Sequence, residues 1–467
     1  MKGRNQLKQS AKQDEYDLAY HIRPPKGLLN DPNGLIQYKG VYHVFYQWNQ
    51  QDTTHQTKSW GHVSSKDLIH WETHPPALEP VDWFDRNGCY SGSAVEADGK
   101  LYLFYTGNVR GEDGSRTSYQ CMAVSEDGVH FEKKGPLFEQ PPGYTGHVRD
   151  PKVWQDAEGI WWMILGAQRE DLSGDCIVYH SQNLIDWDYD GPLIVERPKL
   201  GYMWECPDLC LFAEKDIFVF SPQGMDVLGD EFQNFYQTGY ITGQFKANGK
   251  FEWDKESVFK ELDRGFEFYA PQTFIDDTGR RILLGWLGVM DPAVEAAVPT
   301  RKDGWLHALT FPREIIMEEG RLKQRPVKEI AQMRKPVSIA SQSSTTQTIV
   351  LPSLQSELQI HWKEAAEEMK LEIRKAVQIA YSSADQRLIV SRTNWLSKEI
   401  EERAVHLQNG LHSLQLLIES SLLELFVNDG EEVFSLRYFV EDENEKNIKW
   451  AETAIDSRET TLYQLDL

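Results

Sequence analysis

A seven-residue pattern returns at a nearly constant spacing along the first half of the chain. The copies read SKDLIHW at 65–71, SEDGVHF at 125–131 and SQNLIDW at 181–187, and a weaker copy reads GKFEW at 249–253. Their aromatic ends lie 60, 56 and 66 residues apart. The Asp or Asn at the third position favours a tight turn, because its side chain can bond its own backbone. Repetition at this period indicates a series of similar supersecondary units.

The segments between these turns have the composition of β-strands, since they are short and rich in aromatic and β-branched residues. Five of them stand out, at 41–46, 100–105, 160–165, 217–220 and 280–286. Five strands at a period near 60 predict a five-bladed β-propeller over residues 17–330, preceded by an N-terminal extension at 1–16. The alternative is a β-sandwich in which the turns are similar by coincidence.

The composition of the chain changes after about residue 330, where the Trp-rich strands end. A stretch at 338–347 rich in Ser and Thr is typical of a boundary, so we place a linker at 331–347. Beyond it, alternating segments such as 358–362 and 423–427 predict an all-β second domain at 348–467, a β-sandwich. The Asn-Asp-Gly sequence at 428–430 predicts a hairpin turn. Residues 363–375 are compatible with a short helix as well, and the sequence leaves that open.

Charge and cysteine usage exclude several classes of protein. The net charge is −23, from 49 basic and 72 acidic residues, without a basic run, so no nucleic-acid or anionic-membrane partner is expected. The chain contains no stretch of about 18 apolar residues, so no membrane span is predicted. The first ten residues lack the apolar core of a secretory signal, and five sparse cysteines predict reduced thiols in a cytoplasmic protein. Cys206 and Cys210 are interpreted as small buried apolar residues. The oligomeric state is not predicted.

Three short segments place a carboxylate one or two residues before a proline at the edge of a strand. They read NDPNG at 30–34, RDP at 149–151 and WECPD at 204–208. Each alone is typical of an ordinary turn, but they recur at a similar phase in successive units. Equivalent positions in a propeller converge at one end of the central channel. Like charges held close raise one pKa while another stays low, and two such carboxyls are what glycoside hydrolysis requires.

Taken with further motifs, the chain resembles glycoside hydrolase family 32, the invertases and fructanases. The matching segments, in order, are NDPNG at 30–34, FYQWN at 45–49, SWGH at 59–62, WFD at 83–85, YSGS at 90–93, RDPK at 149–152, ECPD at 205–208 and FYAPQ at 268–272. Residues 423–430 resemble the C-terminal domain of that family, so the similarity covers nearly the whole chain after the first 16 residues. It implies a five-bladed propeller followed by a β-sandwich, and a retaining β-fructofuranosidase.

The resemblance also implies roles for individual residues. Asp31 would be the nucleophile, Glu205 the general acid and base, and Asp150 the stabiliser of the transition state, with Arg149 beside it. The fructose ring would be held by four residues, Asn30, Gln47, Trp60 and Ser91. Phe84 would add an apolar wall, and Tyr269 lies in a motif near the site. We expect the charges of Asp31 and Asp150 to raise the pKa of Glu205. No metal and no cofactor are predicted.

The substrate implied is a small sugar, sucrose-6-phosphate or sucrose. A phosphate group requires Arg, Lys or His nearby, and the candidates are Lys58, Arg23 and His55. A fructosyltransferase or a fructan exohydrolase on the same fold is an alternative that the sequence leaves open. A non-catalytic carbohydrate-binding protein is another, although it would have no need of all three carboxyls.

Overall fold

The computed structural model describes residues 15–339, 346–442, 444–452 and 458–467. The prediction of an all-β chain is confirmed, because strands dominate these residues and the α-helix α1 (Pro292–Ala296) has only five residues. Two 3₁₀ helices cover Pro299–Asp303 and Lys328–Gln332. In the part of the chain described, no helix has the length and apolar character needed to cross a membrane. Most of the predicted N-terminal extension, residues 1–14, lies outside the described residues.

The N-terminal part of the chain forms five sheets of four or five strands, and we call each sheet a blade. The first blade contains β1 (Gly27–Tyr38), β2 (Val41–Asn49), β3 (Ser59–Ser65) and β4 (Glu72–Leu78). The second contains β5 (Cys89–Ala97), β6 (Lys100–Arg110), β7 (Arg116–Ser125) and β8 (Glu132–Glu139). The third contains β9 (Tyr144–Gln155), β10 (Trp161–Arg169), β11 (Gly174–Ser181) and β12 (Asp188–Pro192).

The last two blades are more irregular. The fourth contains β13 (Met203–Cys210), β14 (Asp216–Gln223), β15 (Gly239–Phe245), β16 (Phe251–Trp253) and β17 (Lys260–Glu261). The fifth begins with β18 (Phe268–Ile275) and β19 (Arg281–Leu287). The next strand, β20 (Trp305–Leu306), instead pairs in parallel with β1 of the first blade. The fifth blade is completed by β21 (Ala308–Leu309), β22 (Arg313–Glu318) and β23 (Arg321–Pro326).

The five blades follow one another around a closed ring. The innermost strands β1, β5, β9, β13 and β18 contact each other in chain order, and β18 returns to contact β1. Closure leaves the innermost edges facing a common centre. The β-propeller predicted from the repeat is therefore confirmed, and β20 locks the ring by tying the end of the propeller chain to its first strand.

The repeated sequence pattern forms the turn between the third and fourth strands of a blade. In the first three blades Oδ1 of Asp67, Asp127 or Asn183 accepts hydrogen bonds from the backbone N–H groups two and three residues further on. The serine two residues earlier donates to the same oxygen in each copy. The weaker copy at 249–253 covers the end of the turn between β15 and β16 and β16 itself, the third and fourth strands of the fourth blade. The repeat thus reports local turn chemistry rather than a contact between blades.

The C-terminal domain is a sandwich of two six-stranded sheets. One has the order β24-β35-β26-β31-β32-β33 and the other β25-β34-β27-β28-β29-β30. In chain order these strands are β24 (Arg334–Val337), β25 (Thr346–Val350), β26 (Ser356–Trp362), β27 (Glu368–Ile373), β28 (Val377–Ser382), β29 (Arg387–Thr393), β30 (Ile400–His406), β31 (Ser413–Ile418), β32 (Leu422–Val427), β33 (Glu432–Arg437), β34 (Asn447–Glu452) and β35 (Arg458–Leu465). Alternate apolar side chains from both sheets fill one core between them.

Two details of the second domain differ from the sequence prediction. The helix considered for residues 363–375 is wrong, because β27 occupies 368–373 with alternating buried and exposed side chains. The linker expected at 331–347 contains β24 and the start of β25, and β24 pairs with β35 of the sandwich. β24 is an edge strand of only four residues, so it gave no strand pattern in the sequence before the Ser- and Thr-rich stretch at 338–347. Residues 340–345 of that segment lie outside the described residues.

Buried ionic groups join the two domains. Arg313 of β22 is fully buried and donates to Asp263 in the propeller and to Glu424 of β32, at 2.9 and 2.5 Å. His21 lies between Glu424 and Glu419 of the sandwich, at 2.8 and 2.5 Å. Buried charges are costly unless they are paired, so these contacts hold the fifth blade and the sandwich in one relative position.

Candidate active site

Each innermost strand contains a β-bulge, and the five bulges occupy equivalent places in the five blades. In every case two residues lie opposite one residue of the neighbouring strand; the pairs are 30–31, 90–91, 150–151, 206–207 and 270–271. A bulge bends the strand and redirects its side chains. The bulges therefore explain how residues from sequence-distant motifs face one central cavity.

The backbone at these bulges adopts unusual conformations. Asp150, Cys206 and Ala270 have positive φ angles of 66°, 46° and 49°. Such angles cost on the order of 1–3 kcal/mol for residues other than glycine and persist only where surrounding structure imposes them. Asp tolerates this region better than most residues. Strain concentrated at the cavity marks the inner ends of the blades as a functional site.

Asp31 lies at the floor of the cavity, and several groups donate to its carboxylate. The Ser91 hydroxyl donates to Oδ2 at 2.5 Å, and the Asn30 amide donates to Oδ1 at 3.1 Å. Burial raises the pKa of Asp31 and the charge of Glu205 adds to that effect, although both hydrogen bonds oppose it. The two donors are directed at the ionised form of the carboxylate, which is the form a nucleophile needs.

Glu205 is held by four hydrogen bonds from three side chains. Arg149 donates to Oε1 from Nε at 3.0 Å and from Nη2 at 2.6 Å. Gln223 and the Tyr269 hydroxyl each donate to Oε2 at 2.6 Å. Burial favours the protonated form, but the Arg149 charge and these hydrogen bonds lower the pKa of Glu205 below its usual value. The raised pKa expected for Glu205 is therefore wrong for this arrangement of the site, because Arg149 pairs directly with the carboxylate.

Asp150 is a second carboxyl whose pKa is raised. Its side chain is buried, and its Oδ2 accepts from the Cys206 backbone N–H at 2.9 Å. The nearest cation, Arg149, is 4.0 Å away and directs its two short bonds to Glu205 instead. Burial raises the pKa of Asp150 to about 7, and the charges of Glu205 and Asp31 add to the effect of burial against Arg149. The pKa values of Asp31 and Asp150 are thus raised and that of Glu205 is lowered, although the three carboxyls share one cavity.

The cavity has a volume of about 420 Å³ and contains most of the residues predicted to bind the sugar. Its walls include the three carboxyls predicted to be catalytic together with Asn30, Gln47, Ser91, Arg149, Tyr269, Lys58 and His55. Further lining residues that carried no sequence motif of their own include Arg116, Gln223, Phe235, Tyr236, Trp286 and Glu295. All of these come from the propeller.

Three predicted residues are placed elsewhere by the structure. Trp60 is fully buried beneath the cavity and donates from Nε1 to the Tyr90 backbone carbonyl at 3.0 Å, so it supports the wall without lining it. Phe84 packs in the core between the first and second blades, and the aromatic residue of the neighbouring motif that lines the cavity is Tyr90. Arg23 bonds Asp17 at 2.5 Å and stacks over a tryptophan outside the cavity. The prediction for these three residues is wrong because a sequence motif does not show which of its aromatic or basic side chains faces the cavity.

Cys206 was interpreted from the sequence as a buried apolar residue, and this is incomplete. Its sulfur lies 3.7 Å from Oδ2 of Asp31 and 3.6 Å from Oδ2 of Asp150. Burial raises the pKa of the thiol well above its usual range, and the adjacent carboxylates add to that effect. Cys206 therefore stays a neutral weak donor between the two carboxyls. The sequence signal for it was its place directly after Glu205.

A group of possible metal ligands lies at the rim of the cavity, although the sequence showed no such cluster. Glu295 Oε1 lies 2.8 Å from Nε2 of His55 and 2.9 Å from Nε2 of His307. The contacts are those of a hydrogen-bonded network in which the carboxylate accepts from both rings. The separation of about 240 residues between His55 and Glu295 explains why no spacing in the sequence revealed it.

Comparison with known proteins assigns the chain to a family. The model for the glycosyl hydrolases family 32 N-terminal domain matches residues 21–326, and the family 32 C-terminal model matches residues 322–464. Sucrose-6-phosphate hydrolase of Bacillus subtilis (strain 168) is 43% identical over 436 residues, covering 92% of this chain and 90% of the relative.

Solved structures agree over nearly the full length. The sucrose-6-phosphate hydrolase of Lactobacillus gasseri superposes with a TM-score of 0.86 at 30% identity, covering 97% of this chain and 94% of the other. A β-fructofuranosidase of Bombyx mori, solved as a mutant in complex with sucrose, gives a TM-score of 0.84 at 32% identity with the same coverage. The protein therefore belongs to glycosyl hydrolase family 32, as its motifs predicted.

Proposed function

We propose that this protein hydrolyses the β-fructofuranosyl bond of sucrose-6-phosphate with Asp31 as nucleophile and Glu205 as general acid and base. The broader activity is that of a β-fructofuranosidase, a glycoside hydrolase that releases fructose, as predicted from the sequence. The observation that supports these roles is the unequal bonding of three carboxyls in one cavity. Asp31 receives donors suited to an anion, and Glu205 is bonded by groups that a substrate can displace.

The first chemical step forms a bond between Asp31 and the fructosyl anomeric carbon. As the bond to the departing oxygen breaks, Glu205 transfers its proton to that oxygen, and the sugar stays on Asp31 as a covalent ester. In the second step a water molecule attacks the same carbon and gives its proton to Glu205, and the Asp31 carboxylate leaves. Two displacements at one carbon retain the stereochemistry.

Glu205 must be protonated to act first as an acid, whereas its contact with Arg149 holds it ionised. A sugar entering the cavity places its glycosidic oxygen and hydroxyl groups among these donors. Loss of even part of the Arg149 contact raises the pKa of Glu205, because the strongest interaction that opposes the effect of burial is then weakened. Substrate binding thereby prepares the acid, which makes proton transfer dependent on a correctly seated sugar.

Asp150 is suited to stabilise the positive charge that develops on the fructosyl ring. It accepts from fructose hydroxyls in this proposal, and its negative charge lies next to the reacting carbon. Cys206 fixes its orientation through the backbone N–H contact at 2.9 Å. Burial raises the pKa of Asp150 and so favours its protonated form. Hydroxyl groups of the sugar that donate to Asp150 would favour its ionised form.

The phosphorylated substrate is preferred over plain sucrose in this proposal because the relatives of highest identity compared are named sucrose-6-phosphate hydrolases. The volume of the cavity, about 420 Å³, suits a disaccharide rather than a long polymer. The cytoplasmic location stays a prediction from the sequence.

The test compares kcat/KM for sucrose and sucrose-6-phosphate on the same preparation, with Asp31→Asn as the inactive control. We expect cleavage of both sugars and a preference of at least tenfold for the phosphorylated one, about 1.4 kcal/mol of transition-state binding. Equal or better use of plain sucrose would assign the protein as an invertase. Activity of Asp31→Asn near that of the wild type would refute the covalent mechanism.

A further inference from the structure

The cationic groups of the cavity fall into two sets with different partners. On one side, Lys58 donates to Asn30 Oδ1 at 2.7 Å. The negative charges of Asp31, Glu295 and Asp52 act on its ammonium group. His55, next to it, bonds Glu295 at 2.8 Å. Carboxylates outnumber cations on this side. A phosphate entering here would meet more negative charge than positive charge, so the two candidates predicted from the sequence are already satisfied by the protein.

The opposite wall has the reverse balance. Arg116, at the start of β7, lines the cavity and is partly buried, and among the described residues no carboxylate oxygen lies within 4.0 Å of its guanidinium. Within the described residues, the guanidinium of Arg116 donates one hydrogen bond to a side chain, from Nη1 to Nδ1 of His147 at 3.1 Å. Its guanidinium also lies 5.8 Å from the centre of the Tyr90 ring. A half-buried arginine without a counter-ion is unusual in a chain of net charge −23.

His147 links this arginine to the catalytic acid. Its Nδ1 accepts from Arg116 at 3.1 Å and from Arg149 Nη1 at 2.9 Å, so the ring is neutral and its proton lies on Nε2. Burial lowers the pKa of His147 to about 4, and both arginines add to that effect. Two guanidinium groups are thereby held side by side without a charge from the histidine. In the described part of the chain, the carboxylates that pair with these two guanidinium groups are Glu205, and Asp150 at 4.0 Å from Arg149.

The position of this wall matches the leaving group. Glu205 protonates the departing oxygen, so the sugar that leaves lies on the Glu205 side of the cavity. Arg149 contacts Glu205 directly, and Arg116 is the next cation beyond it. We infer that Arg116, positioned by His147, is the phosphate ligand of this enzyme and binds the phosphate monoester on the departing sugar. This rests on the proposed function and adds the residue that determines specificity.

Arginine suits the task because its planar fork can give two parallel hydrogen bonds to phosphate oxygens, which a lysine cannot reproduce. Arg149 remains available to the same anion when substrate loosens its contact with Glu205. The acidic protein elsewhere discourages anions, so a localised cationic wall selects where the phosphate enters.

The experiment measures kcat/KM for both sugars in the wild type, Arg116→Gln, Arg116→Lys and a control, Arg86→Gln, at an exposed position outside the cavity. The quantity compared is the ratio of kcat/KM for sucrose-6-phosphate to that for sucrose. We expect this ratio to fall at least tenfold in Arg116→Gln, to fall by less in Arg116→Lys, and to stay within twofold of the wild type in Arg86→Gln. If this ratio in Arg116→Gln were the same as in the wild type, the inference would be overturned.

A second measurement covers the case in which Arg116→Gln folds poorly. Glucose-6-phosphate and fructose are tested as inhibitors of sucrose cleavage by the wild type and by Arg116→Lys. We expect the inhibition constant for glucose-6-phosphate to rise several-fold and that for fructose to stay unchanged, and equal constants in both proteins would contradict the assignment. A wild type without preference for the phosphorylated sugar would instead refute the proposed substrate, which keeps the two failures distinguishable.

Discussion

Replacing Asp150 by Asn is expected to stabilise the protein while it abolishes activity. Asn is nearly isosteric and tolerates the φ of 66° at this position. Its side-chain oxygen can accept from the Cys206 N–H as Asp150 does. The change therefore removes a buried negative charge next to two others and leaves the backbone as it is. A residue kept for function at a cost in stability behaves in this way.

The magnitude follows from the pKa of Asp150, which burial and its carboxylate neighbours raise from 3.8 to about 7. The folded protein holds this proton more tightly than the unfolded chain does, so the wild type loses stability as pH rises from 3.8 to 7 and loses no more above it. At about 1.4 kcal/mol for each pKa unit, the full loss is on the order of 4 kcal/mol at pH 8 and on the order of 1–2 kcal/mol at pH 5. The Asp150→Asn variant avoids this loss at every pH, because its amide does not ionise.

Thermal unfolding provides the assay. With an unfolding entropy of about 2.1 cal/mol/K per residue over roughly 310 propeller residues, 4 kcal/mol corresponds to a Tm increase of about 6 °C at pH 8 and about 2 °C at pH 5. Asp67→Asn is the matched control, because hydrogen bonds lower the pKa of Asp67 and the equivalent turn of the third blade already contains Asn183. The control should gain nothing. A Tm gain in Asp150→Asn that is absent at pH 8, or equally large at pH 5, would refute the reasoning.

Three further changes test other parts of the site and fold. Glu205→Gln should lower kcat/KM by about 10²–10⁴-fold with Tm little changed, because it removes proton transfer and almost no volume; unchanged turnover would exclude Glu205 from the mechanism. Lys58→Met should lower kcat/KM for sucrose and sucrose-6-phosphate by the same factor, since Lys58 supports Asn30 and faces Asp31; a larger loss for the phosphorylated sugar would place the phosphate at Lys58. Burial alone lowers the pKa of His21, but hydrogen bonds to its two glutamates raise it to about 9, so its stabilising effect is complete below pH 6.5 and is lost as pH rises through 9. His21→Gln should therefore lower Tm at pH 6.5 and match the wild type near pH 9.5, and a deficit independent of pH would contradict this account.

The fold was predictable because its repeating element is local. The turns at Asp67, Asp127 and Asn183 depend on a side chain bonding its own backbone within three residues, and such chemistry is visible in a linear sequence. The start of the sandwich was misplaced for the opposite reason. An edge strand such as β24 is defined by its pairing with β35, and no local pattern reveals a partner that distant.

The candidate site likewise contains residues that a local motif reveals and residues that only the folded chain brings to the cavity. Its carboxyls were found because each one stands beside a proline in a short motif that recurs with the blades. Arg116 and Gln223 were missed because each reaches the cavity as a single residue, and only the ring closure brings it there. The choice of Phe84 over Tyr90 shows the limit of adjacency, because the bulge at 90–91 decides which aromatic residue faces inward.

We expect the sandwich to influence catalysis through the propeller, because all cavity-lining residues lie between 30 and 295. Asp31, Asp150 and Glu205 stand on three different blades, so their separations are set by how tightly the ring closes. Closure depends on the fifth blade, whose Arg313 is buried against Glu424 of the sandwich. Leaving either partner unpaired costs about 3–5 kcal/mol, so the fifth blade cannot easily shift relative to the sandwich. Widening of the ring would move the three carboxyls apart, and the buried contact between the fifth blade and the sandwich opposes such a movement.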